Sequence, residues 1–216
     1  MMSDTALREL ICSLAKSLYD RGLTSGSTGN ISARTSDGGL LVTPTNSSFG
    51  RLDPARLSLF NAAGEWISGD KPTKEMPLHS AFYDTRSNTG AVVHLHSCHA
   101  VALSMIEGAD EDNFLPVYTP YAVMKLGRVK LLPYFMPGDD KMGEAVRSLA
   151  GKRSAVMLAH HGPVVAGRDV EAACYAIEEL EETAKLALMM RGMPAQTLSD
   201  EAVTALVRQF DVEWES

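Results

Sequence analysis

The segment AVVHLHSCHA, residues 91–100, constrains the fold more than any other part of the chain. It opens with small and β-branched apolar residues, which favour a buried strand over residues 91–96. Three of the chain's six histidines follow within six positions. Because successive side chains alternate along a strand, His94 and His96 are predicted to project to one side while Leu95 enters the opposite layer.

Two imidazoles on one side of a strand provide part of a metal site. The pair alone is weak evidence, because half-exposed histidines at a strand end give the same pattern. A second apolar segment, SAVMLAHHG at residues 154–162, also ends in histidines and offers the third ligand that a divalent cation needs. His161 is the preferred candidate, because Gly162 after it allows close backbone approach. His160 is then expected to have a supporting or surface role.

Glu75 adds a carboxylate directly before a predicted helix over residues 76–84. A glutamate in this position usually provides only a favourable charge at the positive end of the helix dipole. Beside three histidines it is also a candidate fourth metal ligand, a candidate general base, or each in turn. The residues by themselves leave these roles open.

Three polar loops suggest a second property of the chain. They are STGN at residues 27–30, TPTN at 43–46 and PTKE at 72–75. Hydroxyl groups, amides and free backbone N–H groups in such loops can close on a phosphate monoester, and Lys74 adds a positive charge. No loop has the P-loop or dinucleotide pattern, so phosphate binding and ordinary turn chemistry remain equally open.

Helices and short strands alternate along the chain. Helices are predicted over residues 4–21, 76–84, 98–107, 139–150 and 170–191, and a helix with a tail over 201–216. Strands are predicted over 39–44, 57–60, 65–68, 91–96, 154–162 and 164–167. Residues 25–32 are predicted to form a polar loop, and the proline-broken segment 114–138 is predicted to hold one or two strands and long connections. The pattern indicates an α/β fold with a mixed or antiparallel sheet that carries helices on its faces.

Composition and charge limit the class of protein. The 216 residues, 45% hydrophobic and 22% charged, fit a single globular domain over residues 1–216. A net charge of −7 without a run of Lys and Arg argues against a nucleic-acid partner. No apolar run reaches about 18 residues, and Asp4 and Glu9 interrupt the N-terminal segment, so we expect no signal peptide, no membrane partner and a cytoplasmic location. Three dispersed cysteines are predicted to be reduced, packed thiols.

Five motifs in this order resemble the class II aldolase/adducin family, which includes fuculose-phosphate aldolase and ribulose-phosphate 4-epimerase. The motifs are GSTGNIS, LVTPTN, KPTKEMPLH, VVHLHSCHA and HHGPVVAG, and the match spans residues 7–191. The resemblance implies a three-layer α/β/α sandwich with a central, mostly antiparallel sheet. It also implies a homotetramer with sites at subunit interfaces and one zinc ion (Zn2+) per subunit.

The same resemblance assigns roles to individual residues. The zinc ligands would be His94, His96 and His161, and Glu75 would be a catalytic acid/base that also reaches the metal. Tyr121 falls where the aldolases present a proton donor from a neighbouring subunit. Tyr118 is the alternative donor, because the alignment across the prolines is loose, and a packed aromatic residue is an equally open interpretation of Tyr121.

The phosphate site of the family falls on the three polar loops. The implied residues are Asn30, Thr45, Asn46, Thr73 and Lys74. The sugar-phosphate aldolases commonly carry Ser-Gly or Thr-Gly at the Thr45-Asn46 position and Ser-Ser at the Thr73-Lys74 position. These departures argue against an aldolase substrate.

Within the family, TPTNSSFGRLDP, KPTKEMPLH and TPYAVMKLGRVKLLPY most resemble the 3-oxo-tetronate 4-phosphate decarboxylases of four-carbon acid sugar catabolism. The expected activity is zinc-dependent conversion of a small phosphorylated acid sugar to dihydroxyacetone phosphate and CO2. One alternative is a sugar-phosphate aldolase or 4-epimerase with the same metal site. The other alternative is a noncatalytic, adducin-like interaction domain. The presence of the three histidines and the glutamate argues against it.

Overall fold

The computed structural model describes residues 3–214, which contain seven α-helices and eight strands. The helices are α1 (Asp4–Asp20), α2 (Met76–Thr85), α3 (Cys98–Ser104), α4 (Pro120–Leu126), α5 (Lys141–Ser148), α6 (Val170–Met189) and α7 (Asp200–Phe210). The strands are β1 (Asn30–Arg34), β2 (Leu40–Val42), β3 (Ser58–Phe60), β4 (Trp66–Ser68), β5 (Ala91–His94), β6 (Lys130–Leu132), β7 (Ala155–Leu158) and β8 (Gly162–Gly167).

The strands form one sheet in the order β4-β3-β2-β1-β5-β8-β7-β6. All neighbouring strands are antiparallel except β6 and β7, which are parallel. One hydrophobic cluster lies between the sheet and helices α1, α3 and α6, and a second lies between the opposite face and helices α2 and α5. This arrangement confirms the predicted α/β/α sandwich with a mostly antiparallel sheet.

Strand β5 occupies the middle of the sheet, between β1 and β8. Val93 and Leu95 pack in the cluster beside α6, whereas Val92 packs in the cluster on the opposite face. The predicted alternation of side chains is therefore confirmed. The strand ends at His94 rather than at residue 96, so His96 lies just beyond it.

Two sequence predictions are wrong for identifiable reasons. Residues 30–34 form the buried strand β1, not a polar loop, because Asn30 and Ser32 are buried polar residues that interrupt the apolar pattern expected of a central strand. The segment 114–138 holds helix α4 as well as β6. Pro120 occupies the first turn of α4, where its missing N–H costs nothing, and Thr119 caps the helix by accepting from the Ala122 N–H at 3.3 Å.

The remaining elements follow the predictions closely, although the helix expected over residues 98–107 ends at Ser104. Residues 215–216 of the predicted C-terminal tail lie outside the described residues. Cys174 is buried as predicted, whereas Cys98 is exposed. Within residues 3–214, the helices are too short or too polar to cross a bilayer.

Candidate metal centre and active site

The structure brings three histidines from two parts of the sequence together. One ring nitrogen each of His94, His96 and His161 lies within 4.8 Å of the others. His94 ends β5, His96 follows it, and His161 lies in the turn between β7 and β8. His94 pairs with Val164 of β8, which begins directly after this turn. The turn therefore lies beside the end of β5.

Gly162 makes this close approach possible. A Cβ atom at position 162 would lie 2.0 Å from the backbone oxygen of Leu95, so a larger residue would push the two segments apart. The backbone of His161 can therefore lie against the segment that carries His94 and His96.

The histidine ring nitrogens have the hydrogen-bonding state and the protonation state that metal ligands need. The Nδ1–H of His94 donates to the backbone oxygen of Pro163 at 2.9 Å, which leaves Nε2 as the atom with a free lone pair. That Nε2 atom and both ring nitrogens of His161 are buried without a hydrogen-bond partner among residues 3–214. Burial lowers the pKa of His94 to about 3 and that of His96 to about 4, so both rings are neutral at pH 7. Burial also lowers the pKa of His161. Three neutral, converging imidazoles fit a cation such as zinc.

Glu75 faces the histidines instead of capping its helix. It precedes α2, but its side chain makes no capping hydrogen bond. Its Oε1 lies 3.4 Å from Nε2 of His161, and its Oε2 lies 3.6 Å from Nε2 of His94. Burial alone would raise the pKa of Glu75, but the imidazole of His94 and the amide of Asn30 more than offset this and lower it. The ionised carboxylate of Glu75 could therefore serve as a fourth ligand beside the three histidines, or as an acid/base next to them.

The three polar loops meet at the same place. A cavity of about 190 Å³ contains Glu75, His96 and His161 in its wall. The five residues of the predicted phosphate site line it as well: Asn30, Thr45, Asn46, Thr73 and Lys74. The cavity is smaller than the roughly 300–1,000 Å³ typical of drug-sized ligands, which suits a small metabolite.

Backbone contacts hold two of these loops together. The Thr45 N–H donates to the backbone oxygen of Lys71 at 2.9 Å, and Pro44 and Pro72 form an isolated bridge. Asn46 takes a left-handed conformation with φ of 56°, which asparagine tolerates better than most residues. The side chain of Lys74 passes over Gly138, where an added Cβ would lie 3.2 Å from Lys74 Cδ. The aliphatic stem of Lys74 therefore lies against Gly138 at the edge of the cavity.

Asn30 has contacts that the sequence did not reveal. Its amide nitrogen donates to Oε2 of Glu75 at 2.7 Å, and its amide oxygen bonds to Nε2 of His79. Nδ1 of His79 lies 2.7 Å from the Ser32 hydroxyl, which lies 2.9 Å from the Tyr83 hydroxyl. The spacing of Glu75 and His79 was an available signal, because residues four apart share one face of a helix.

The other candidate residues belong neither to the histidine cluster nor to the cavity wall. Tyr121 is on α4, is 58% exposed and is not in the wall of the cavity. Tyr118 is half-buried just before α4 and is also outside that wall. His160 is exposed, and its backbone N–H donates to the Ser104 hydroxyl at 3.0 Å. His99 lies on α3, as expected, where its ring bonds to Glu181.

The chain is similar to known proteins over most of its length. Residues 9–188 match the family model described as the Class II Aldolase and Adducin N-terminal domain. A protein from Escherichia coli O6:H1 named 3-oxo-tetronate 4-phosphate decarboxylase is 46% identical over 91% of this chain and 92% of its own length. A protein of the same name from Cupriavidus necator is 45% identical over 99% of this chain and 100% of its own length.

A solved structure has the same fold. The crystal structure of YgbL from Escherichia coli, assigned provisionally as an aldolase/epimerase/decarboxylase, superposes with a TM-score of 0.91. It is 44% identical and the match covers 94% of this chain and 98% of that chain.

Proposed function

The chain belongs to the class II aldolase and adducin family, and we propose that it is a metal-dependent decarboxylase that converts 3-oxo-tetronate 4-phosphate to dihydroxyacetone phosphate and CO2. The observation that carries the proposal is the cavity in which Glu75 and the histidines meet Lys74 and the polar loops. Relatives 45–46% identical over most of their length bear the decarboxylase name. The enzyme is thus a lyase of the class II aldolase family.

The reaction makes specific demands on the site. A 3-oxo acid breaks the bond between its carboxylate and carbon 2, and the electron pair stays behind as an enediolate. A proton must then reach carbon 2, so each turnover releases one CO2 and consumes one proton. An aldolase that expels an aldehyde forms the same enediolate, which explains how one type of site can support both reactions.

His94, His96 and His161 would hold the cation, which we propose is zinc, one ion per chain. When bound, a divalent cation supplies a Lewis acid that stabilises negative charge on the substrate's oxygens. Glu75 is ionised in the resting site, so it can take up the required proton and deliver it to carbon 2. Its contacts with His94 and His161 leave open that it also approaches the cation as a ligand.

The anionic ends of the substrate require donors from the loops. Lys74 provides a full positive charge, and the Asn46 amide provides neutral donors beside it. The hydroxyl groups of Thr45 and Thr73 can donate to phosphate oxygens. Asn30 retains one amide hydrogen that neither of its partners uses, since Nδ2 has two and Glu75 accepts one.

We further propose that the chain is one domain that works as a cytoplasmic homotetramer with sites at subunit interfaces. Tyr121 is the candidate proton donor from a neighbouring subunit, with Tyr118 as the alternative. The 58% exposure of Tyr121 leaves it available for such a contact. In a single chain neither tyrosine lies in the cavity wall.

The decisive test is to supply 3-oxo-tetronate 4-phosphate to zinc-loaded protein and to measure CO2 and dihydroxyacetone phosphate together. We expect equal amounts of both, and loss of both on addition of a chelator. Protein that binds zinc but releases no CO2 would contradict the proposal. Formation of dihydroxyacetone phosphate and an aldehyde from a sugar phosphate would then indicate an aldolase, and protein that binds no metal would indicate the noncatalytic alternative.

A further inference from the structure

A buried series of hydrogen bonds runs behind the carboxylate of Glu75. It connects the Tyr83 hydroxyl, the Ser32 hydroxyl, the His79 ring and the Asn30 amide to Glu75 Oε2. All five residues are buried, and His79 is completely inaccessible. The series crosses from α2 to β1 and back, so it joins the helix that carries Glu75 to the middle of the sheet.

The direction of every bond in the series follows from its end at Glu75. A carboxylate only accepts, so the Asn30 amide must present its nitrogen to Glu75 and its oxygen to His79. The amide oxygen also only accepts, so the hydrogen of a neutral His79 ring must be on Nε2. Nδ1 of His79 then accepts from the Ser32 hydroxyl, and the Ser32 oxygen is free to accept from Tyr83.

The surroundings keep His79 in this neutral form. Burial lowers its pKa to about 3 and outweighs the Glu75 carboxylate, which acts in the opposite direction. Tyr83 keeps its proton, because burial raises the pKa of its hydroxyl. A single arrangement of hydrogens therefore satisfies all the bonds, and each donor points towards Glu75.

We propose that His79 is a positioning residue for catalysis, which fixes the orientation of the Asn30 amide and through it the carboxylate of Glu75. The inference rests on the proposed acid/base role of Glu75. If the Asn30 amide rotated by half a turn, its oxygen would face Glu75 and its nitrogen would face the Nε2–H of His79. Both contacts would be repulsive, so His79 excludes that rotamer. The hydrogen bond from His79 to Asn30 also fixes the orientation of the second amide hydrogen of Asn30, which is the one available to substrate.

The activity test compares two substitutions of His79. In His79→Gln, the side-chain amide can still donate to Asn30, whereas His79→Leu offers no donor. We expect kcat of H79L to fall by roughly 10- to 100-fold, the range typical of residues that support catalytic groups, with little change in KM and in bound zinc. H79Q should recover most of that loss, and the same pair of changes at the exposed His160 should leave kcat unchanged.

A double variant separates positioning from general loss of packing. If His79 acts through Asn30, then H79L should lower kcat in wild type but have no further effect in an Asn30→Ala background. Losses that multiply in the double variant, or an H79L enzyme with unchanged kcat, would overturn the inference.

A measurement without substrate keeps this inference distinct from the proposed function. Nitrogen-15 NMR of histidine-labelled wild-type protein should show His79 as a neutral ring with hydrogen on Nε2, and Asn30→Ala, which removes the acceptor at Nε2, should release that preference. A hydrogen on Nδ1 of His79 would overturn the inference even if the enzyme releases CO2. The expected tautomer in a protein that releases no CO2 would contradict the proposed function while the bond series to Glu75 stands.

Discussion

The ring of His99 donates from Nδ1 to Oε1 of Glu181 at 2.7 Å. The same carboxylate accepts the backbone N–H groups of His99 and Ala100, each at 2.9 Å. Glu181 therefore reaches from α6 to the first turn of α3 and satisfies donors that the helix cannot pair internally. The third histidine of AVVHLHSCHA is thus part of a helix cap, and it holds α3 directly after the segment that carries His94 and His96.

This cap predicts a stability defect for Glu181→Ala. The change leaves the buried N–H of Ala100 and the partly buried N–H of His99 without their acceptor, and we expect the free energy of unfolding to fall by about 2–4 kcal/mol. Glu181→Gln, which keeps one acceptor oxygen, should lose less. Urea denaturation measures both. Glu182→Ala is the matched control, because its 3.8 Å pair with Lys185 is exposed and should contribute less than about 1 kcal/mol. Equal stability of E181A and E182A would contradict the role of the cap.

The unpartnered nitrogens of His94 and His161 predict that a cation stabilises the folded chain. Removing bound metal with a chelator should lower Tm, and adding zinc back should restore it in proportion to occupancy, because a ligand that binds only the native state shifts unfolding. His161→Ala should abolish stoichiometric zinc binding, measured by elemental analysis. His160→Ala should bind zinc as wild type does. A wild-type Tm that is indifferent to chelator and zinc would argue against a metal centre.

The position of Glu75 predicts separable effects on chemistry and metal binding. Glu75→Gln keeps the size of the side chain but cannot carry a proton between donor and substrate, so kcat should fall by about 10²- to 10⁴-fold. Zinc content should remain near that of wild type, because three imidazoles are retained. Glu144→Gln on the exposed side of α5 is the control. Near-normal turnover of E75Q with normal zinc would rule out the catalytic assignment.

Much of the fold and of the histidine cluster could be predicted from the sequence. The run of small and β-branched apolar residues identified β5, and the glycine after His161 identified the close approach that completes the cluster. The strand β1 was not accessible, because its inward positions Asn30 and Ser32 serve hydrogen bonds instead of packing. Only tertiary structure pairs these residues with His79.

Helix α4 shows a different limit of sequence analysis. Its prolines suggested irregular chain, yet a proline in the first turn is compatible with a helix. The role proposed for Tyr121 requires a neighbouring chain, because in the single chain this residue lies outside the cavity wall.

The contact of Lys74 with the cavity predicts a defect in substrate binding. Lys74→Met keeps the aliphatic stem over Gly138 but removes the charge, and loss of a charged hydrogen bond should raise KM for the phosphorylated substrate by roughly 10- to 100-fold. Lys71→Met in the same loop is the control, because that side chain is exposed outside the cavity wall. Steady-state kinetics at low and high salt would measure the effect, and an unchanged KM for K74M would refute it.

The three cysteines should differ sharply in reactivity. Burial raises the pKa of Cys12 to about 11 and that of Cys174 to about 12, and the reactive species is the thiolate. At pH 8 the thiolate is therefore on the order of a thousandth of Cys12 and less of Cys174. Cys98 is exposed, so a disulfide reagent should titrate one thiol rapidly in native protein and three in denaturant.

Raising the pH should speed the slow thiols, since their thiolate population increases about tenfold for each pH unit below the pKa. Cys98→Ser should remove the rapid phase and leave the slow ones. Three rapid thiols in native protein at pH 8 would show that the helix packing that buries Cys174 against the sheet opens readily in solution.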